Sequence, residues 1–136
     1  MNDKIFFDTN LLIYLYSEDE PEKQSKLLNV VKSHENRWIS TQVLNELSNT
    51  LRRKFKLEYG EIQNIFSEIS TQFQIAIIQV QTIESALEIA ADYRYSYYDS
   101  LIVATALELS CDFLYSEDMQ HGQLIKGQMQ IFNPLV

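Results

Sequence analysis

Four carboxylates stand where acids can do chemistry in this sequence: Asp8, Glu46, Asp99 and Asp118. Asp8 ends the apolar run Lys4-Ile5-Phe6-Phe7, and Asp118 follows Phe113-Leu114-Tyr115 within Ser116-Glu117-Asp118. Asp99 falls in the first turn of an apolar helix, and Glu46 in the first or second turn of another. In open α/β sheets ligands bind beyond the carboxyl ends of the strands, the edge that helix N-termini normally abut. Carboxylates converging there would repel one another and cost stability unless protons or cations compensated. Oxygen-only ligands suit the hard cations Mg2+ and Mn2+. A metal held this way can activate water and stabilise charge on a phosphodiester in transition.

Each acid also has a local explanation. Asp8 can cap the helix that starts near Leu11, and Ser96-x-x-Asp99 matches a capping box. Glu46 lies off the Leu44–Leu47–Leu51–Phe55 stripe, as a solvated glutamate would, and Asp118 sits in a turn that favours aspartate for backbone reasons. With 19 Asp and Glu in the chain, the weight comes from joint placement.

The elements that must position these residues can be read from apolar runs and their punctuation. Residues 4–7 read as a strand buried on both faces, followed by the apolar helix Leu11–Tyr16. Pro21 opens a helix over about 21–34, and Arg37–Ser40 is a second strand. Helices follow over about 41–55 and 60–73, then a third strand at 76–80 and a helix at 82–94. Leu101–Leu109 is helical, 113–115 is the fourth strand and 130–132 the last. The order predicts one α/β domain over residues 1–136, with a short, mainly parallel sheet of about five strands.

Composition narrows the class. Apolar residues make up 46% and charged residues 22%, which excludes a disordered chain, and scarce Gly and Pro argue against an all-β fold. No apolar run approaches the roughly 20 residues that span a bilayer, and the start Met1-Asn2-Asp3-Lys4 does not read as a secretion signal. A lone Cys111, read as a small buried hydrophobe, fits a reducing cytoplasm. The net charge of −8 opposes nucleic-acid binding unless cations neutralise clustered acids or a basic partner joins the complex.

The local strings point further. Phe6-Phe7-Asp8-Thr9-Asn10-Leu11-Leu12 resembles the opening of the PIN domain, the nuclease fold of VapC-type toxins. Val43-Leu44-Asn45-Glu46-Leu47, Tyr97-Tyr98-Asp99-Ser100-Leu101-Ile102 and Leu114-Tyr115-Ser116-Glu117-Asp118 resemble its later acidic motifs, in family order. The resemblance implies a three-layer α/β/α sandwich and a site of Asp8, Glu46, Asp99 and Asp118 holding Mg2+ or Mn2+. It makes Asp8 and Asp99 the most direct ligands and gives Thr9, Asn10 and Ser116 the task of orienting the carboxylates. The fourth position is the family's loosest, which leaves Glu117 as a substitute for Asp118. The implied reaction is hydrolysis of RNA phosphodiesters by a toxin that a cognate antitoxin protein blocks, and the implied assembly is a homodimer.

Arg52, Arg53, Lys54 and Lys56 form the one dense basic cluster, available to RNA phosphates or simply a dipole-favoured helix end. Tyr93, Tyr95, Tyr97 and Tyr98 can stack on unpaired bases or serve the core and a dimer. Other readings are a PIN-type nuclease in RNA processing without an antitoxin and a noncatalytic receiver-like binding module. A receiver would want an aspartate closing a middle strand, where Gln81 stands, and a lysine after the last strand, where Asn133-Pro134 stands.

Overall fold

The computed structural model describes residues 2–136. β1 (Lys4–Phe7) leads into α1 (Thr9–Tyr16) and α2 (Pro21–Ser33). β2 (Asn36–Ser40) leads into α3 (Thr41–Arg53) and α4 (Tyr59–Gln72), and β3 (Gln74–Ala76) into α5 (Val80–Tyr93) and α6 (Tyr97–Glu108). β4 (Phe113–Tyr115), β5 (Leu124–Ile125) and β6 (Met129–Phe132) close the described chain.

The sheet has six strands in the order β3-β2-β1-β4-β6-β5, all parallel except the β5–β6 pair. Ile5, Phe6 and Phe7 are consecutive and fully buried, so both faces of central β1 are covered by helices. This is the three-layer arrangement expected of a mostly parallel sheet. Leu11, Leu12, Leu27, Val43, Leu47, Leu51 and Ile69 pack into one core with the strands. α6 is buried without interruption from Ser100 to Ala106, which is why its sequence carries no polar face.

Register positions the site. Phe7 pairs with Tyr115, and the Asp8 amide donates to the Tyr115 carbonyl at 2.9 Å, so Asp8 and Ser116 leave the sheet side by side.

Two expectations need correcting. The third strand is Gln74–Ala76, not 76–80, and the following helix starts at Val80 rather than 82. The apolar string Ile77–Val80 misleads because Ile77 and Val80 are each 73% exposed; they sit outside the sheet. The sheet also gains a strand beyond the expected five, because β5 pairs antiparallel with β6. Between them Lys126 (φ 51°) and Gly127 (φ 65°) take the positive φ that tight hairpin turns require, and the Gln128 amide closes the turn onto the Ile125 carbonyl at 2.9 Å.

Candidate active site

Asp8 is the N-cap of α1 and only 5% exposed. One carboxylate oxygen accepts from the Thr9 amide at 2.7 Å and the other from the Ser116 hydroxyl at 2.8 Å. The capping role is therefore real, yet it uses a single amide. The second bond crosses to the loop after β4.

The other three acids reach the same edge from separate elements. Ser40 caps α3 by accepting from the Val43 amide at 3.3 Å, and the next turn carries half-buried Glu46. The Thr9 hydroxyl donates to Glu46 at 2.9 Å, tying α1 to α3. Ser96 caps α6 by accepting from the Asp99 amide at 3.2 Å. The Asp99 carboxylate bears electrostatically on Asp8, Glu46 and Asp118. Asp118 is exposed after β4 and accepts from the Asn10 side-chain amide. Thr9, Asn10 and Ser116 thus each hold one acid: Glu46, Asp118 and Asp8 respectively.

The electrostatics are lopsided. Burial pushes the Asp8 carboxyl up to about 7; the bonds from Ser116 and Thr9 oppose that rise, and the charges of Asp99 and Glu46 add to it. Glu46 is also raised, chiefly by burial and against the Thr9 bond, with the Asp99 charge adding. Asp118 is raised by burial, Glu117 and Asp99, with Lys23 opposing. The charges acting on Asp8 and Glu46 are those of other acids.

An oxygen-only donor set with so little compensation fits a hard divalent cation. As placed, no three of the described His, Cys, Asp and Glu side chains stand close enough to grip one ion together. The fit is one of charge and donor type.

Not every sequence candidate joins this edge. Arg53 lies seven residues beyond Glu46 on α3, roughly 10 Å along the helix axis. Arg52 donates to the Leu57 carbonyl at 3.1 Å and covers the Tyr59 ring at 4.5 Å, closing the turn between α3 and α4. Cys111 is buried and its thiol is pushed up to about 12, so it packs as a hydrophobe.

Sequence reasoning missed a trio beside the fourth acid. The Tyr14 hydroxyl and the Lys23 ammonium both donate to Glu117, the lysine at 2.8 Å. Lys23 is one of 11 cations and follows an acidic stretch, so nothing in its spacing singles it out. Tyr14 reads there as one more apolar position of its helix.

A mostly parallel six-stranded sheet with acids at its carboxyl edge places the molecule among the open α/β proteins, whose ligands sit at that edge. Its sequence matches the PIN domain family over residues 5–124, and the chain belongs to that family. No curated protein matches the sequence. Among solved structures the fold is similar to a toxin–antitoxin complex from Klebsiella pneumoniae, with 22% identity, 96% of this chain and 98% of that one covered, and a TM-score of 0.75. It is also similar to VapC20 of Mycobacterium tuberculosis, described as a toxin cleaving the sarcin–ricin loop, at 19% identity, 85% and 90% coverage and a TM-score of 0.71. DNA-bound VapBC from Salmonella typhimurium matches at 16% identity, 98% and 99% coverage and a TM-score of 0.71.

Proposed function

We propose that this chain is a metal-dependent endoribonuclease, the toxin of a toxin–antitoxin pair, which hydrolyses RNA phosphodiester bonds in the cytoplasm with Mg2+ or Mn2+. The observation that carries the reading is the geometry of the carboxyl edge: Asp8 is buried there between bonds from Thr9 and Ser116, and Thr9 and Asn10 hold Glu46 and Asp118 at the same edge. Membership of the PIN domain family supports it, as does the likeness to VapC folds, one of them described as cleaving the sarcin–ricin loop. The Klebsiella and Salmonella structures are toxin–antitoxin complexes, which supports an antitoxin partner here. Pairing of two copies belongs to the same reading; Val80, Ile83 and Leu87 form an exposed apolar row on α5 that is available to a second chain.

Asp8 and Asp99 would hold the cation most directly, with Glu46 and Asp118 acting through water or on a second ion. When bound, the cation supplies a more acidic water and Lewis-acid stabilisation of the phosphate. The chain's own groups arrange the rest. Thr9 and Ser116 orient the Asp8 carboxylate with one bond to each oxygen, and Thr9 and Asn10 fix Glu46 and Asp118. Asp8 must shed its remaining proton to serve as a ligand, so cation affinity rises with pH near neutrality. Arg53 and Lys54 are exposed and offer phosphates a contact outside the acidic edge.

The test is cleavage of labelled total RNA by the purified protein with Mg2+ or Mn2+, with chelator and Asp99→Asn as controls. Discrete fragments that need both the metal and Asp99 are expected. No cleavage under either metal, with no melting shift on adding it, overturns the proposal.

A further inference from the structure

The loop after β4 is pinned along α1, from its N-cap to its second turn, at three successive residues. Ser116 donates to Asp8, Glu117 accepts from Tyr14, and Asp118 accepts from Asn10. The middle contact is reinforced from a second helix. Lys23 of α2 donates to the second oxygen of Glu117 at 2.8 Å, lies 3.2 Å from the Tyr14 hydroxyl and covers the Tyr14 ring at 4.6 Å. Both oxygens of Glu117 are therefore engaged by α1 and α2, whereas Asp118 accepts from Asn10 and feels the charges of Glu117, Asp99 and Lys23.

Adjacent acids in one turn repel, and a free Glu117 would compete with Asp118 for any cation. The clamp removes that competitor and fixes the backbone between Ser116 and Asp118. We propose that Glu117 is an anchor and not a ligand, and that Lys23 and Tyr14 act through it as positioning residues for Asp118. The inference rests on the proposed cation site and decides which of two neighbouring acids serves it.

The experiment is calorimetric titration of the purified, metal-free chain with Mn2+. It compares wild type, Lys23→Met, Lys23→Arg, Glu117→Gln, Asp118→Asn and the Lys23→Met/Asp118→Asn double variant. Lys23→Met and Glu117→Gln are expected to raise the Mn2+ Kd by about tenfold, the cost of losing a group that orients a ligand. Lys23→Arg should recover most of the affinity, and Lys23→Met should add nothing once Asp118 is gone. If Lys23→Met fails to fold, Glu117→Gln in both Asp118 backgrounds carries the same comparison.

A Lys23→Met protein with wild-type affinity overturns the inference, as does equal weakening with and without Asp118. If Glu117→Gln weakens binding while Lys23→Met does not, Glu117 is itself a ligand and the anchor role fails. A wild-type chain that binds no Mn2+ at all overturns the proposed site, and the positioning role with it.

Discussion

At the amino-terminal edge of the sheet, Arg37 on β2 brings one guanidinium to the ends of two helices. It donates to the Val31 carbonyl and the Gln72 carbonyl, each at 2.8 Å, and also to the His34 carbonyl. Helix C-termini leave carbonyls short of internal partners, and the Val31 carbonyl also accepts the His34 amide at 3.4 Å. At the carboxyl edge, Asp8, Glu46, Asp99 and Asp118 gather from four elements, and the charges pressing on Asp8 and Glu46 are negative. Both edges hold partly buried charge. The Arg37 cation meets the partial negative charge of helix ends, whereas Asp8 and Glu46 accept hydrogen bonds but stand among charges of their own sign. Structural charge finds its partner within the fold, whereas uncompensated charge marks the place where something from outside completes the balance.

The sharpest break of this comparison is removal of charge from the two edges in turn. Asp99→Asn should lower the rate of metal-dependent RNA cleavage by about a thousandfold, the scale of losing a key electrostatic group, while the fold is retained. Arg37→Ala should do the reverse. It strips several charge-assisted hydrogen bonds and is expected to cost about 3 kcal/mol, read as a fall in denaturant midpoint at unchanged slope. Folded Arg37→Ala protein should bind Mn2+ as wild type does. If Arg37→Ala abolished cation binding without loss of stability, the two edges would not be separable.

A third test uses the proton on Asp8. Burial pushes its carboxyl from the ordinary 3.8 up to about 7 in the folded protein, so the native state binds that proton more tightly than the unfolded chain. Stability from this group is therefore full below about pH 4 and lost progressively as pH rises through about 7. Asp8→Asn cannot ionise and should melt higher than wild type at pH 8, by about 5 °C for a gain of 1–2 kcal/mol. The advantage should shrink steadily as the pH falls towards 4. An advantage that grew on acidification would show that Asp8 is stabilised as its anion and that the edge is not strained. Mn2+ should raise the melting temperature of wild type at pH 8 and leave Asp8→Asn little changed.

The acidic edge was more legible in the sequence than the clamp that organises it. β1 and β4 are central parallel strands, so they read as unbroken apolar runs, and Asp8 and Asp118 stand just beyond their ends. β3 is an edge strand of three residues with little burial, and it left no such run. The apolar string after it belongs to an exposed segment leading into α5, which periodicity alone does not distinguish from a buried strand. β5 exists only because β6 is there to pair with it. Lys23 and Glu117 lie 94 residues apart and meet through the packing of α1 on α2, a contact with no local signature. The half-formed capping role of Ser96-x-x-Asp99 was legible as well, and so was the repulsion between Asp99 and the three other acids, which followed from their joint placement at one edge.

The smallest expected effect concerns the basic end of α3, which resembles neither edge. Arg52 is spent on the Leu57 carbonyl and the Tyr59 ring, so Arg52→Ala should lower stability. Arg53 and Lys54 are exposed beside Asn49 and Thr50. Exposed charges away from such features change stability by less than about 0.5 kcal/mol. Replacing both Arg53 and Lys54 by Ala should accordingly leave the melting temperature and kcat near wild type. It should raise KM for RNA severalfold and reduce the salt dependence of binding by about 0.7 for each lost phosphate contact. An unchanged salt slope would remove this helix end from the RNA surface and leave the acidic edge as the part of the molecule that meets substrate.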